Sequence, residues 1–454
     1  MAGFIVSSFG RFVMSVFQEF FTTPSWQTFT WLACGWALAS ERHTISTYLW
    51  LTGASTVKHF SRFYVFLGGA LYQARWRLWG RLIGRAAHWV PAVDPIVIVV
   101  DDSTKKKTGT HIDGVDCYRN GAGSARQEYR TLRGVNFVWG IMRVPLPRWP
   151  QHCVSVPIGL SLYLKEGTAH KLHLPYRSRS ALAREIVDFV ATQLPHRRIR
   201  LLGDGGYATK ECLRTLPATV HVVSRLLVTG KLYDLPPKLT QARRGRPPKK
   251  GPLLGSPKTL ARKRHGWQPH PTEAGTLVQA WEGLWHPVLP GRAVRVVVVR
   301  RSATLRARPP GQHKPPPLVE AFFTTDLTLS LGAILQHYRE RWAVEITIRD
   351  SSAFAGFGHE QCRKVERVVG ANTLRLVLAA ARTLWFVEQA SRAETLDLQR
   401  YRPWYRHKEA PSQLDISWAC REVLHEAGVF PIPRFAPDLA RIHQEPENAL
   451  PLAA

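Results

Sequence analysis

The sequence predicts an α/β protein in which a sheet-centred core lies between two helical regions. Three observations predict it. Apolar residues recur at helical spacing to about residue 90; from Ile96 the pattern changes to short β-branched runs; and from about Leu331 the helical period returns. At 454 residues the chain can bury a large core, and length alone allows roughly two to four domains.

Residues 1–90 read as a helical N-terminal domain, with the period clearest in TFTWLACGWALASERHTISTYLWL and FYVFLGGALYQARWRLWGRLIGRAAHWV. The apolar stretches FVMSVF and WLACGWALAS fall well short of the ~20 residues that span a bilayer. MAGFIVSSFGRF lacks the basic start and the small-residue cleavage site of a secretory signal. The expectation is a soluble, unprocessed, cytoplasmic protein with no membrane partner.

Pro91 and Pro95 end the helical pattern, and residues 91–227 form the first part of the core. Strands are predicted at Ile96–Val100, Val135–Val144 and Cys153–Leu164, then a helix in SALAREIVDFVATQL from Ser180, then a strand in RIRLLGDGGY and another at Thr219–Leu226. Residues 228–325 read as a β-rich interval that includes RAVRVVVVRR and VEAFFTTDL. Within it, QARRGRPPKKGPLLGSPKTLARKRHG, residues 241–266, is rich in Lys, Arg, Pro and Gly and has no acid, so a basic loop is expected. Residues 326–370 return to the helical period and complete the core. A helical C-terminal region, 371–454, follows and ends in a Pro-rich tail beyond Phe430.

Lys and Arg total 62 against 33 Asp and Glu, a formal charge of +29 spread along the whole chain. Such a surface suits a polyanion, and nucleic acid is the commonest one. The six cysteines stand singly, without the paired spacing of a zinc site, and read as buried, reduced thiols of a cytosolic protein.

Three acidic stretches carry the chemistry. IVIVVDDSTKKKTG sets Asp101 and Asp102 at the tip of a strand, a usual place to hold Mg²⁺, which takes one or two carboxylates and leaves room for substrate oxygens. LLGDGGY sets Asp204 just past another strand, among glycines that allow close approach of a backbone or a phosphate. In HYRERWAVEITIRD a single continuous helix would put Ile334, Tyr338, Trp342, Glu345, Arg349 and Ser352 on one face, with Glu345 pointing inward. The plainer reading of Glu345 is an ion pair with Arg341 or Arg349, each four residues away.

The order strand, three-strand meander, helix, second acidic strand end and late helical Glu resembles the RNase H-like core of DDE transposases. DDST, GDGGYA and YxxRWxxE are similar to the three acidic motifs of bacterial insertion-sequence transposases with a YREK-type signature. The resemblance covers about residues 95–370. It departs at the signature lysine, whose place falls on Ser352; Arg349 or Lys364 would then have to make its terminal-phosphate contact.

The resemblance implies an RNase H-like catalytic core with a β-rich insertion, and a metal-binding catalytic triad of Asp101, Asp204 and Glu345, with Asp102 as the alternative to Asp101. Two Mg²⁺ or Mn²⁺ ions would be the cofactors, about 3.5–4 Å apart in such sites. The implied function is cleavage at the ends of a bacterial insertion sequence and strand transfer into target DNA, by a homodimer on paired ends. The alternatives are an RNase H-like nuclease that does not join, or an inactive DNA-binding relic. Tyr338, Arg341 and Lys107 are expected at the DNA, with Lys105 and Lys106 beside Lys107. Trp267, Trp281 and Trp285 are candidates to stack a flipped base. RGRPP, with Arg244 and Arg246, looks like an AT-hook core suited to a narrow minor groove. End recognition would fall to the N-terminal helices.

Overall fold

Strand formation begins where the chain becomes β-branched. In the computed structural model, residues 2–119, 130–237, 248–302, 318–392, 404–405 and 407–429 are described. They divide into two units: Trp79–Arg349, built on a sheet, and Met1–Leu78 together with Asp350–Ala454, which is helical.

The sheet contains β1 (Ile96–Lys106), β2 (Asp116–Arg119), β3 (Thr131–Leu146), β4 (Trp149–Tyr163), β5 (Ile199–Gly203), β6 (Val220–Arg225), β7 (Leu232–Tyr233), β8 (Leu253–Gly255), β9 (Gln268–Pro269), β10 (Thr276–Leu284), β11 (Ala293–Arg301) and β12 (Val319–Thr324). Its spatial order runs β4-β3-β1-β5-β6-β12-β11-β10, with β2 also on β3 and β7, β8 and β9 around β10. β1, β5 and β6 are parallel neighbours, while β3 is antiparallel to both β1 and β4. The expected strands β1, β3 and β4, the helix and the strand β5 occur in that order, but the short strand β2 and a short helix, Glu166–Lys171, are inserted among them. The near-continuous apolar runs of β1, β5 and β6 follow from burial on both faces: Ile98, Val100, Leu201, Leu202, Val222 and Val223 are all inaccessible or nearly so.

Helix α1 (Arg179–Gln193) packs against β3 and β4 through Ile186. Gly140 and Gly159 make this approach possible, since a Cβ on Gly140 would lie 2.6 Å from an Ile186 methyl. Ser178 caps the helix by accepting from the Ala181 amide, which places Arg179 at its first turn.

Three expectations require correction. The basic interval is not all loop: β8 falls within it, and so does a one-turn helix, Pro257–Leu260, started by a Ser256–Thr259 capping box with Pro257 at its first position. β10 was not anticipated, because Gln279 and Glu282 interrupt its apolar alternation. The late helix is broken into α2 (Leu331–Glu340) and α3 (Ala343–Ala355). Between them the amides of Arg341, Trp342, Val344 and Glu345 each donate to the carbonyl three residues back, at 3.1 Å. This tighter winding shifts the helical phase, and Trp342 turns outward to 58 % exposure instead of marking the inner face.

The helical unit is organised around a 28-residue helix, Val365–Arg392, most of which is buried. Gly370 lets it approach the π-helical turn Leu67–Leu71, where a Cβ would fall 2.0 Å from the Leu67 carbonyl oxygen. Arg375 is completely buried and donates to the His43 carbonyl oxygen from Nε and Nη2, at 3.1 and 2.5 Å. All six cysteines are free, but Cys117 and Cys153 are exposed, against the expectation of uniform burial. No helix among the described residues is long and apolar enough to cross a membrane.

Candidate active site

Parallel pairing determines where the first two acids stand. β1 and β5 are in register up to Val100 and Gly203, so Asp101 and Asp204 each follow the last pair at the same edge of the sheet. β6 continues the alignment, with Gly203 opposite Ser224. Ser224 Oγ donates to the carbonyl oxygens of Gly203 and Asp204, at 2.9 and 3.3 Å, and anchors the turn that carries Asp204.

Successive residues of a strand face opposite sides of the sheet. Asp101 and Asp102 accordingly meet different partners. Asp101 Oδ2 accepts from Arg341 Nη1 at 3.0 Å, and its Oδ1 accepts from the Asp102 amide at 2.8 Å. The same guanidinium donates through Nη2 to Glu345 Oε1 at 2.8 Å, so Arg341 joins the first acid to the third. The plainer reading of Glu345, an ion pair with Arg341, is therefore present in the same geometry that brings Glu345 to Asp101. Tyr338, packed on Phe322, donates its hydroxyl to Asp204 Oδ1 at 3.3 Å.

Asp102 is held elsewhere. Its Oδ1 accepts from the Tyr207 hydroxyl at 3.0 Å and its Oδ2 from Asn136 Nδ2 at 2.8 Å, with Arg179 Nε 3.5 Å away. Arg179 lies over the Tyr163 ring, 4.7 Å from its centroid. These partners were not foreseen, although one signal was present: Asn136 is a lone amide inside the apolar run GVNFVWG, and it is 1 % exposed.

Electrostatics follow the geometry. Burial pushes the Asp101 carboxyl up to about 7; the nearby Asp102 and Asp204 carboxylates add to the rise, against the Asp102 amide and Arg341. The Tyr338 hydroxyl is also raised, first by burial and then by the charge of Asp204.

Arg225, at the end of β6, is a further cation at this edge and was not anticipated. It pairs with Glu320 at 2.5 Å, Glu320 with Arg301 at 2.5 Å, and Arg301 with Glu273 at 2.6 Å, a chain of charges running into the β-rich interval.

The remaining expected site residues are distributed more widely. Lys105 and Lys106 are paired in β1 opposite Val135 and Gly134, and the Lys107 amide donates to the Arg133 carbonyl oxygen. Arg349 ends the sheet unit, and Ser352 and Lys364 fall in the helical one. Trp285 is 3 % exposed and packs edge-on against Phe323, so its face is not open to a base. Trp267 and Trp281 form a T-shaped pair 5.8 Å apart and are partly exposed, with Arg300 over Trp267 at 4.3 Å. Arg244 and Arg246 lie outside the described residues.

Among the described residues no group of three or more His, Cys, Asp or Glu is placed to hold a metal ion. An arginine lies between two of the acids, and a tyrosine is bonded to the third. The donor chemistry nonetheless fits a hard divalent cation. Asp101 and Glu345 already share one positive group, and the guanidinium stands in for positive charge at that point.

Residues 165–381 match a family model described as Transposase DDE domain. This supports a DDE transposase, and it implies DNA as the substrate. DDE transposases in general use divalent metal ions, in keeping with the carboxylate donors above. The mixed α/β sheet unit is consistent with an RNase H-like transposase domain. The match spans just under half of the chain and contains Asp204 and Glu345, while Asp101 and Asp102 precede it. No curated protein gives a significant match to the sequence.

Proposed function

We propose that this chain is the transposase of a bacterial insertion sequence of the YREK-type group, which cuts DNA at the element's ends and joins those ends to target DNA. The observation that carries the reading is the single guanidinium of Arg341 joining Asp101 to Glu345, beside an Asp204 held by Tyr338. Three acids distant in sequence converge on one sheet edge through the Tyr, Arg and Glu of one motif.

Asp101, Asp204 and Glu345 are the residues that would hold Mg²⁺ or Mn²⁺. Ions bound there supply activation of the attacking hydroxyl and neutralisation of charge on the leaving oxygen. The chain's own residues supply position. The β1–β5 register fixes the separation of the two aspartates, Ser224 fixes the turn after β5, and the Asp102 network holds the tip of β1 rigid. Asp101 is preferred to Asp102 as the reacting-side acid, because the hydrogen bonds of Asp102 are spent on Tyr207 and Asn136. Arg341, Tyr338 and Lys107 are proposed to meet DNA phosphate. The N-terminal helices are proposed to read the element end, in a cytoplasmic homodimer on paired ends.

The test is excision of a marked element in cells supplied with the wild-type protein or Glu345→Gln, with the donor and target junctions sequenced. Excision and joining by the wild type, with a loss of at least a hundredfold in the variant, is expected. Equal activity of the two forms would remove Glu345 from the triad, and cleavage without joined junctions would reduce the function to that of a nuclease.

A further inference from the structure

We propose that Arg341 is the resident counter-cation of the metal-free site, and that its guanidinium must leave Asp101 and Glu345 before those carboxylates can hold a divalent ion. The inference rests on the reading of Asp101, Asp204 and Glu345 as metal-holding acids.

Each of the three acids already has an oxygen engaged from the end of α2 or the turn that follows it. Arg341 takes Asp101 Oδ2 and Glu345 Oε1, at 3.0 and 2.8 Å, and Tyr338 takes Asp204 Oδ1 at 3.3 Å. The other oxygen of Asp101 accepts the Asp102 amide, so both oxygens of this carboxylate are already engaged. A guanidinium and a divalent cation cannot share that position, because two positive charges a few ångströms apart at a site partly screened from water repel. Arg341 is itself largely enclosed, with 14 % of its side chain exposed.

The cation also solves a problem of the empty site. Asp101, Asp102 and Asp204 crowd negative charge at one sheet edge, and an unpaired buried carboxylate there would oppose folding. Arg341 belongs to the short tightened turn joining two helices, where a change of a few torsions redirects the side chain without moving either helix. Once released, its natural acceptor is a phosphate, which a guanidinium grips with two parallel donors. Metal loading and DNA engagement would in this way be coupled through one side chain: the ion displaces the guanidinium, and substrate phosphate receives it.

The alternative role, a permanent support that orients the acids around the ion, predicts the opposite effect of its removal. The test is Mn²⁺ binding to the chelator-stripped full-length protein, followed by the loss of the free-ion electron paramagnetic resonance signal, for wild type, Arg341→Gln, Arg341→Lys and Glu345→Gln. Arg341→Gln is expected to bind Mn²⁺ about tenfold or more tightly than wild type, since the ion no longer displaces a bound cation. Arg341→Lys, whose compact ammonium keeps the charge but lacks the guanidinium's fork, is expected to fall between them.

Without metal, Arg341→Gln should melt below wild type, and saturating Mn²⁺ should close that gap. If wild type binds Mn²⁺ through Glu345 and both Arg341 variants bind equally or more weakly, the counter-cation role is overturned while the metal-holding acids stand. If Mn²⁺ binding is absent, or indifferent to Glu345→Gln, both readings fall. Should Arg341→Gln not fold, the lysine variant decides alone, and an unchanged affinity refutes the proposal.

Discussion

Asp101 is half-buried beside Asp102 and Asp204, and its carboxyl is pushed up to about 7, chiefly by desolvation and then by those neighbours. A carboxyl with a folded pKa above its unfolded value binds its proton more tightly when folded. Its ionisation therefore opposes folding, and the chain loses stability at this residue as pH rises from about 4 to about 7. In chelator, Asp101→Asn should gain on wild type over that window, with its melting temperature relative to wild type rising by roughly 2 °C or more between pH 5 and pH 8. Thermal melts at the two pH values measure this, and a constant gap would remove the strain from Asp101. A group that destabilises its own fold is what a site gathering negative charge is expected to contain.

At the scale of elements, the site depends on how closely α1 lies on β3 and β4. Gly140 admits the Ile186 methyl, and the same helix brings Arg179 to Asp102. Gly140→Ala should cost about 1–3 kcal/mol through overpacking, and in an Ile186→Ala background, which lacks the Cγ2 methyl that the new Cβ meets, the same change should cost less. Urea denaturation of the two single variants and the double variant checks this; simple additivity would mean that the glycine serves something other than this contact. Much of this level was legible in the sequence. The apolar runs of β1, β5 and β6 and the amphipathic pattern of α1 are periodic signals that survive without tertiary context. The break between α2 and α3 was not legible, because no Pro or Gly marks it and the winding changes through backbone bonds alone. β10 was hidden for a related reason: its polar positions are tolerated by the partners that flank it on both sides.

For the whole molecule, the charge of +29 dominates expectation about partners. Several acidic residues are drawn into specific pairs around the site and along the Arg225–Glu320–Arg301–Glu273 chain, and lysine and arginine remain in large excess over the chain as a whole. Arg244→Ala with Arg246→Ala should flatten the dependence of log affinity on log salt by about 2 for duplex DNA, one for each lost phosphate contact. Titrations at several salt concentrations measure the slope, and an unchanged slope would take the RGRPP segment out of DNA binding. The helical unit shows the same division between signal and outcome. Its helices were expected from their period, but the pairing of Met1–Leu78 with the chain beyond Asp350 is a long-range contact that no local pattern announces.

The sequence by itself determined the strand and helix grammar, the basic character and the three acidic motifs, because each is written in neighbouring residues. Only the tertiary structure decided that Asp101 rather than Asp102 faces Arg341 and Glu345, that Trp342 points outward and Trp285 is core, and that one guanidinium spans two acids. The physical reason is the same throughout. Strand alternation, helical phase and charge pairing across 240 positions of sequence are properties of packed geometry, and residue identity leaves them open until the chain closes on itself.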